Sequence, residues 1–396
     1  MNVSSPTSLA HTACLPFLHL IDLALMRRQR FLMCLFLCGL LLPLAACGGS
    51  ADGDLNSDFG SSSGGPYGGD GDGDGDRATS EDGAGDGFGD GDGDGDGSQE
   101  PPDDAALTAG AWDDNLNFDF FEDFLSEIQV DMGFEISAEE RSDSAHQFGE
   151  DRAANTELDI ALVLDTTGSM GDELTYLIDE IQDIADEIQD QMDANVATRW
   201  ALVAYKDEED AYVTQVTDFA PLSEFKDDLN GLSAAGGGDY PEASAEALRD
   251  ASQLSWRSDE NVARLIFWVA DAPHHTSKGQ MLHEAIMDAK NGDVHIYPVA
   301  SSGVDLRTEV SMRSAAQVTG GRYLFLTDDS GIGDSHLEPT IPCYFVTTLA
   351  DAMVRMVTME LTGDYVEPTE EQIIRTGGDP KDGACTLSDG EQVHIL

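Results

Sequence analysis

Positive charge is what this sequence most lacks. Its 396 residues hold 20 Lys and Arg against 77 Asp and Glu, a formal net charge of −57. A nucleic acid needs a basic footprint opposite its phosphates, so that class of partner is excluded. Docking on anionic lipid headgroups is disfavoured by the same repulsion. Cations are the natural small partners of such a chain. Long apolar runs are also missing: Phe31 to Ala46 spans 16 residues, short of the ~20 that a membrane-crossing helix needs. No G-x-S-x-G stands between a strand and a helix pattern, and no His is placed as a base for a serine, which argues against a hydrolase. Cysteine is sparse, six in all, and four of the six fall before residue 48.

What is present begins with an address, residues 1–46. Met26-Arg27-Arg28-Gln29-Arg30 is a basic region followed by the apolar run, an arrangement that suits a secretory signal starting at Met26. Leu44-Ala45-Ala46-Cys47-Gly48 resembles the lipobox of bacterial lipoproteins, in which the Cys is lipidated and becomes the new N-terminus. The resemblance implies lipidation at Cys47 and a place in the cell envelope, with the membrane met through the lipid anchor only. Gly48 rather than Asp after the Cys implies the outer membrane or cell surface of a Gram-negative bacterium. Cys14, Cys34 and Cys38 would leave with the signal. Cys343 and Cys385 remain, and an exported compartment permits either a disulfide between them or two thiols.

Residues 47–104 join that Cys to a Gly/Asp-rich linker. From 48 to 104 the chain carries 19 of the 41 Gly and a net charge of −16, with few large apolar residues. Such a segment cannot offset its chain entropy by burial and is expected to be a disordered, self-repelling tether. Asp70 to Glu81 matches an EF-hand loop formally, but a Gly-Asp repeat produces that pattern by itself, and Arg77 stands where an apolar residue belongs. The remaining −43 falls on residues 105–396, so the part that can fold is acidic too. Residues 105–155 hold an aromatic cluster with Phe120, Phe121, Phe124, Leu125 and Ile128 at helical spacing, read as a short helical extension packed on the main domain.

Residues 156–362 alternate strand and helix patterns. Near-continuous apolar runs at 159–164, 200–205, 263–270, 294–300 and 322–326 read as strands buried on both faces, and 213–219 alternates like an edge strand. Helical patterns lie between them and the last closes the unit at 348–361, leaving 363–396 as a C-terminal extension. This predicts an α/β fold, a doubly wound, mostly parallel six-stranded sheet with helices on both faces. Ligands of such sheets bind beyond the carboxyl ends of the strands, so the loops after strands are where chemistry belongs.

Three such loops stand out. Asp165-Thr166-Thr167-Gly168-Ser169-Met170 follows the first strand, Gly236-Gly237-Gly238-Asp239-Tyr240-Pro241-Glu242 precedes a helix, and Asp271-Ala272-Pro273 follows the most apolar strand. Carboxylates and hydroxyls together make an oxygen-only donor set, which Mg²⁺ prefers, with Ca²⁺ and Mn²⁺ as rivals. L-D-I-A-L-V-L-D-T-T-G-S-M resembles the first strand and metal motif of von Willebrand factor A domains, and the full three-loop set is similar to the A domains attached to alpha-kinases. The resemblance implies a metal-ion-dependent adhesion site with the ligands Asp165, Thr167, Ser169, Asp239 and Asp271. Asp239 stands where the family usually has a Thr, with Glu242, His274 and Asp207 on the rim. It also implies a protein partner whose acidic side chain completes the ion's shell. His274 and His275 lack a third ligand for zinc. Asp207, Glu208, Glu209 and Asp210 read as a solvated turn or a secondary cation site.

The expected function is therefore that of a non-enzymatic envelope lipoprotein binding a protein partner through a divalent cation. The rivals are a structural subunit whose ion stabilises the fold and, third, a metal-dependent hydrolase. Replacing Cys47 by Ser should move the protein from the membrane to the soluble fraction; persistent membrane association in a cell fractionation would count against the lipobox.

Overall fold

The computed structural model describes residues 105–144, 148, 154–191, 196–238 and 240–396. The signal segment, Cys47, the Gly/Asp-rich linker and Asp239 lie outside the described residues. In chain order the elements open with β1 (Thr108–Trp112), α1 (Phe118–Glu127), α2 (Ala138–Ser142), β2 (Glu157–Asp165) and α3 (Gly171–Gln191). Next come β3 (Ala197–Tyr205), β4 (Thr214–Ala220), α4 (Leu222–Leu229), α5 (Ser244–Ser252), β5 (Val262–Ala270) and α6 (Gly279–Asn291). The chain continues with β6 (His295–Ala300), α7 (Leu306–Thr319), β7 (Tyr323–Leu326), β8 (Tyr344–Thr348), α8 (Leu349–Thr362) and three short strands, β9 (Arg375–Gly377), β10 (Ala384–Thr386) and β11 (Gln392–His394). Among the described residues no helix is long and apolar enough to cross a membrane.

The sheet order is β4-β3-β2-β5-β6-β7-β1-β8-β9. Its centre, β3 to β7 in that order, is parallel. The six expected strands are all present and adjacent. Alternation along each strand sends side chains to two cores. Leu158, Ile160, Leu162 and Leu164 pack with α3, α4 and α8, whereas Ala161 and Val163 pack with α5, α6 and α7. Three helices therefore cover each face, which is the doubly wound arrangement.

Three strands extend the sheet beyond the six. The segment 105–155 is not only helical: β1 inserts antiparallel between β7 and β8. Its sequence, TAGAW, lacks the β-branched alternation that marks a strand. The requirement behind it is tertiary: a Cβ at Gly110 would come within 2.3 Å of the Phe325 ring, so the ring occupies the space that a side chain there would need. Likewise 322–326 is not the final strand. β8 follows it, and the C-terminal segment adds β9 and the β10–β11 hairpin. A disulfide joins Cys343 to Cys385 with a Cα–Cα distance of 6.2 Å, surrounded by Trp112, Val393 and Ile395. It fastens the hairpin to the start of β8.

Buried ion pairs lock β1 to the body. Arg313 on α7 reaches Asp114 at 2.7 Å and Glu309 at 3.0 Å, and Arg322 reaches Asp113 at 2.6 Å, all with nearly fully buried side chains. Removing one member of such a set strands the others as uncompensated buried charges. Arg313→Ala should lower unfolding free energy by about 3–5 kcal/mol, read as a shift in the urea midpoint; a change below about 1 kcal/mol would show that the network contributes little.

Candidate metal centre

The chain winds from β2 outward to β3 and then returns to place β5 on the other side of β2. The carboxyl ends of β2 and β5 thus flank the switch point, where the two connections leave in opposite directions and open a crevice. β2 ends in Asp165, fully buried, and the residue after β5 is Asp271, 3% exposed. The loops after these strands carry the chemistry.

The first loop folds on its own aspartate. Asp165 Oδ1 accepts hydrogen bonds from the Thr167 amide at 2.9 Å and the Thr167 hydroxyl at 2.7 Å, and the Thr167 and Ser169 hydroxyls lie 3.1 Å apart. Thr166 turns away, its hydroxyl donating to the Tyr205 carbonyl at 2.8 Å. Of the two adjacent threonines it is Thr167 whose hydroxyl meets both Asp165 and Ser169.

The glycine loop closes over the first loop. Gly168 N donates to Gly236 O at 3.0 Å and Ala235 N to Thr166 O at 3.2 Å. Gly236 and Gly237 have φ of 83° and 73°, a conformation side chains rarely adopt. A Cβ at Gly237 would stand 3.1 Å from Glu242 Oε1 and 3.2 Å from Thr167 Cβ. Lys206, buried beneath both loops, donates from Nζ to the carbonyls of Thr166, Ala235 and Ser233. Its charge is thus directed to backbone oxygens. The glycine loop is joined to the third loop by the Glu242 amide, which donates to Pro273 O at 2.9 Å.

Four acidic side chains meet at this end of the sheet without an arginine. Asp165 Oδ2, Asp271 Oδ1, Glu242 Oε2 and Glu173 Oε2 are all buried and have no hydrogen-bond partner. Burial raises the pKa of Asp165 and the charge of Asp271 adds to it; burial also raises Asp271, with the Ser169 hydroxyl opposing and the Glu173 charge reinforcing. Glu242 is pushed up to about 9, first by burial and then by Asp165, Asp207 and Asp271. The contrast lies on the same strand. Asp159, near the start of β2, is as buried as Asp165 but binds Arg199 and Arg257, which hold its pKa below the ordinary value against the pull of burial.

A cavity of about 440 Å³ opens over Asp271 and Glu242, lined also by Ser169, Gly237, Ser302 and Asp334. The donor chemistry fits a hard divalent cation: carboxylate and hydroxyl oxygens, two of the carboxylate oxygens buried and unpartnered. Among the described residues no three His, Cys, Asp or Glu side chains form a group that could hold a metal ion.

The other expected residues divide. Glu242 is not a rim residue: it is 2% exposed and faces the cavity. His274 is not on the rim either. Its ring is buried, with Nε2 2.7 Å from the carbonyl oxygen of Met132, and it anchors the segment after α1. Asp207 pairs with His275 at 2.6 Å, and Asp210 Oδ2 accepts from Gly237 N at 2.8 Å. The turn at 207–210 is therefore ordered and supports the glycine loop. Glu173, unmarked in the sequence, accepts from Ser302 N at 3.1 Å and pairs with His336, whose Nε2 lies 3.0 Å away, joining α3 to two further loops. Its signal was its place four residues after Ser169, one helical turn behind the motif.

Residues 159–331 match the family model of the von Willebrand factor A domain. A putative ariadne-like RING finger protein of Acanthamoeba polyphaga mimivirus is 31% identical over 131 residues, covering 31% of this chain and 12% of that protein. The chain therefore spans about an eighth of that relative's length. Among solved structures, the vWF domain of the type V pili tip protein Mfa5 from Porphyromonas gingivalis is 12% identical, with a TM-score of 0.38, covering 55% of this chain and 100% of that one. Proximal thread matrix protein 1 from the mussel byssus is 15% identical with a TM-score of 0.32, covering 41% and 40%.

A carboxyl whose pKa is higher in the folded state than in the unfolded chain stabilises the fold when protonated. That contribution is complete below the unfolded value and is lost as pH rises through the folded one. For Glu242 the window runs from 4.5 to about 9. In EDTA, the melting temperature should fall from pH 5 to pH 9, and Glu242→Gln should flatten part of that fall. Equal slopes in scanning fluorimetry for the variant and the parent would remove Glu242 from the charged cluster.

Proposed function

We propose that this von Willebrand factor A domain binds a protein partner through a divalent cation held by Asp165, Thr167, Ser169 and Asp271. The observation that carries the reading is the pair of buried, unpartnered oxygens, Asp165 Oδ2 and Asp271 Oδ1, near the Thr167 and Ser169 hydroxyls, with Asp271 and Ser169 lining an open cavity. Leaving such groups unsatisfied costs about 1–3 kcal/mol each, more when charged. A cation offsets that cost and supplies a positive centre on an otherwise acidic surface. Mg²⁺ suits the oxygen-only set, with Ca²⁺ and Mn²⁺ as rivals.

The chain's own residues do the positioning. Asp165 holds Thr167 by two hydrogen bonds, Thr167 holds Ser169, and the glycine loop fixes the backbone from the other side. Glu242 adds charge from the cavity wall, and Asp239 is assigned to the ion's ligands. The open side of the cavity would admit the partner's carboxylate. Ser169 has Thr167 and Asp271 as its hydrogen-bonding neighbours rather than a histidine, so it is assigned to binding and not to nucleophilic attack. The setting assigned to the domain is the outer face of a cell envelope, with the acidic linker as spacer from a lipid on Cys47.

A structural reading, in which the ion chiefly holds the three loops together, is favoured by the same buried charges. Titration calorimetry on the full chain with Mg²⁺, Ca²⁺ and Mn²⁺ should show binding that Asp165→Ala and Asp271→Ala each weaken by more than about tenfold, since even outer-shell changes cost 10–100-fold. Unchanged affinity in both variants would falsify the site. If EDTA leaves the circular dichroism and melting temperature nearly intact, the ion serves binding; a sharp fall in melting temperature would favour the structural reading.

A further inference from the structure

One wall of the cavity hangs on a single side chain. Asp334 lines the opening from the loop that joins β7 to β8. On one side of it Ile332 is buried in the core. On the other, Glu338 pairs with Arg375 and accepts from the Tyr344 hydroxyl. Of residues 333–337 between those two points, only His336 is buried. Among the described residues, His336 also makes every hydrogen bond of that stretch, through its amide and its ring. The wall therefore keeps its place through the His336 imidazole.

That ring is clamped between two carboxylates. Nε2 lies 3.0 Å from Glu173 Oε1 on α3, and Nδ1 lies 2.9 Å from Asp328 Oδ1 at the start of the loop. The His336 and Glu173 side chains are each 1% exposed. Glu173 also accepts from the Ser302 amide, and a Cβ at Gly333 would stand 2.3 Å from its Oε1. The backbone next to Asp334 thus lies directly against this carboxylate. Two further charges stand behind the clamp: Arg375 acts on Asp328 from β9, and the Glu173 charge acts on Asp271.

Such a clamp depends on the charge of the ring. A charged imidazole carries a hydrogen on both nitrogens and can donate to both carboxylates. The neutral ring carries one, and its other nitrogen faces an oxygen lone pair. The loss falls on a buried group, where a missing partner costs most. Burial by itself would lower the pKa of the ring, but Glu173 and Asp328 overcome it and hold the value above the ordinary 6.5. The stability that the clamp contributes is therefore complete below 6.5 and is lost as pH rises through the raised value.

We propose that residues 333–337 form a pH-sensitive wall of the cavity, closed while His336 is charged and released when the ring loses its proton. Release carries Asp334 away from the opening, so the acidic lining of the site changes with pH. The proposal takes the cavity to be the cation site inferred above and adds a control on its edge.

The test is limited proteolysis of the full chain by proteinase K in EDTA, from pH 6 to pH 9, with cuts within 333–337 read by mass spectrometry. Rates are corrected by cleavage of a free peptide of the same sequence, so that cutting follows the population of the released form. In the parent it should rise by about fivefold or more across the range. His336→Gln should be cut rapidly at both ends of the range. Asp328→Asn, a change at an exposed side chain, should move the midpoint of the rise to lower pH. Asp165, Asp271 and Glu242 titrate over the same range, so the two variants separate their effect from that of His336. A parent cut at one rate throughout, the parent's rise preserved in His336→Gln, or a midpoint unmoved by Asp328→Asn would overturn the proposal. Any of these would leave the cation reading standing, because the measurement is made in EDTA. Unchanged calorimetry in the Asp165 and Asp271 variants would remove that reading without touching the loop.

Discussion

Uncompensated negative charge at the ends of two neighbouring strands is the constraint on which the rest of this structure turns. Asp165 and Asp271 are buried at the switch point of the sheet, each with one carboxylate oxygen lacking a partner. The chain neutralises buried acids elsewhere. Asp159 has Arg199 and Arg257, Asp114 has Arg313, and Asp113 has Arg322. In a sequence with 20 bases, these arginines are concentrated in the body of the fold. Asp165 and Asp271, at the end of the sheet, have no arginine partner among the described ion pairs.

Much of the surrounding architecture can be understood as holding that end in place. The two left-handed glycines let the second loop lie against Thr167 without a Cβ collision. Lys206 sits under both loops but donates to backbone carbonyls, fastening them without an ion pair to Asp165. His274 and His275 serve the same end, one holding the carbonyl of Met132 and the other Asp207. Groups that look like ligands in the sequence are thus partly scaffold for the groups that can be ligands.

The same principle explains why the domain extends beyond its alternating core. β1 enters from the N-terminal side, pairs with β7 and β8, and places Asp113 and Asp114 where Arg322 and Arg313 can reach them. The C-terminal hairpin is fastened through Cys343–Cys385 and through Asn117, whose side chain accepts from His394 N at 2.7 Å. Both additions lie outside residues 159–331, the span matched by the family model.

The amino-acid sequence by itself determined the parts governed by local pattern. Apolar runs such as Ala263 to Ala270 marked the six core strands, helical periodicity marked the layers, and the spacing of Asp165, Thr167 and Ser169 marked the first loop. These were legible because backbone periodicity and a tight turn each leave a short-range signature. Only the tertiary structure decided that TAGAW is a sheet strand, since its glycine answers to Phe325 more than two hundred residues away. It likewise decided that Glu242 faces the cavity while His274 does not, and that Glu173 stands behind the site. Which buried acid finds an arginine depends on what the fold brings within a few ångströms, and separation along the chain carries no record of that distance.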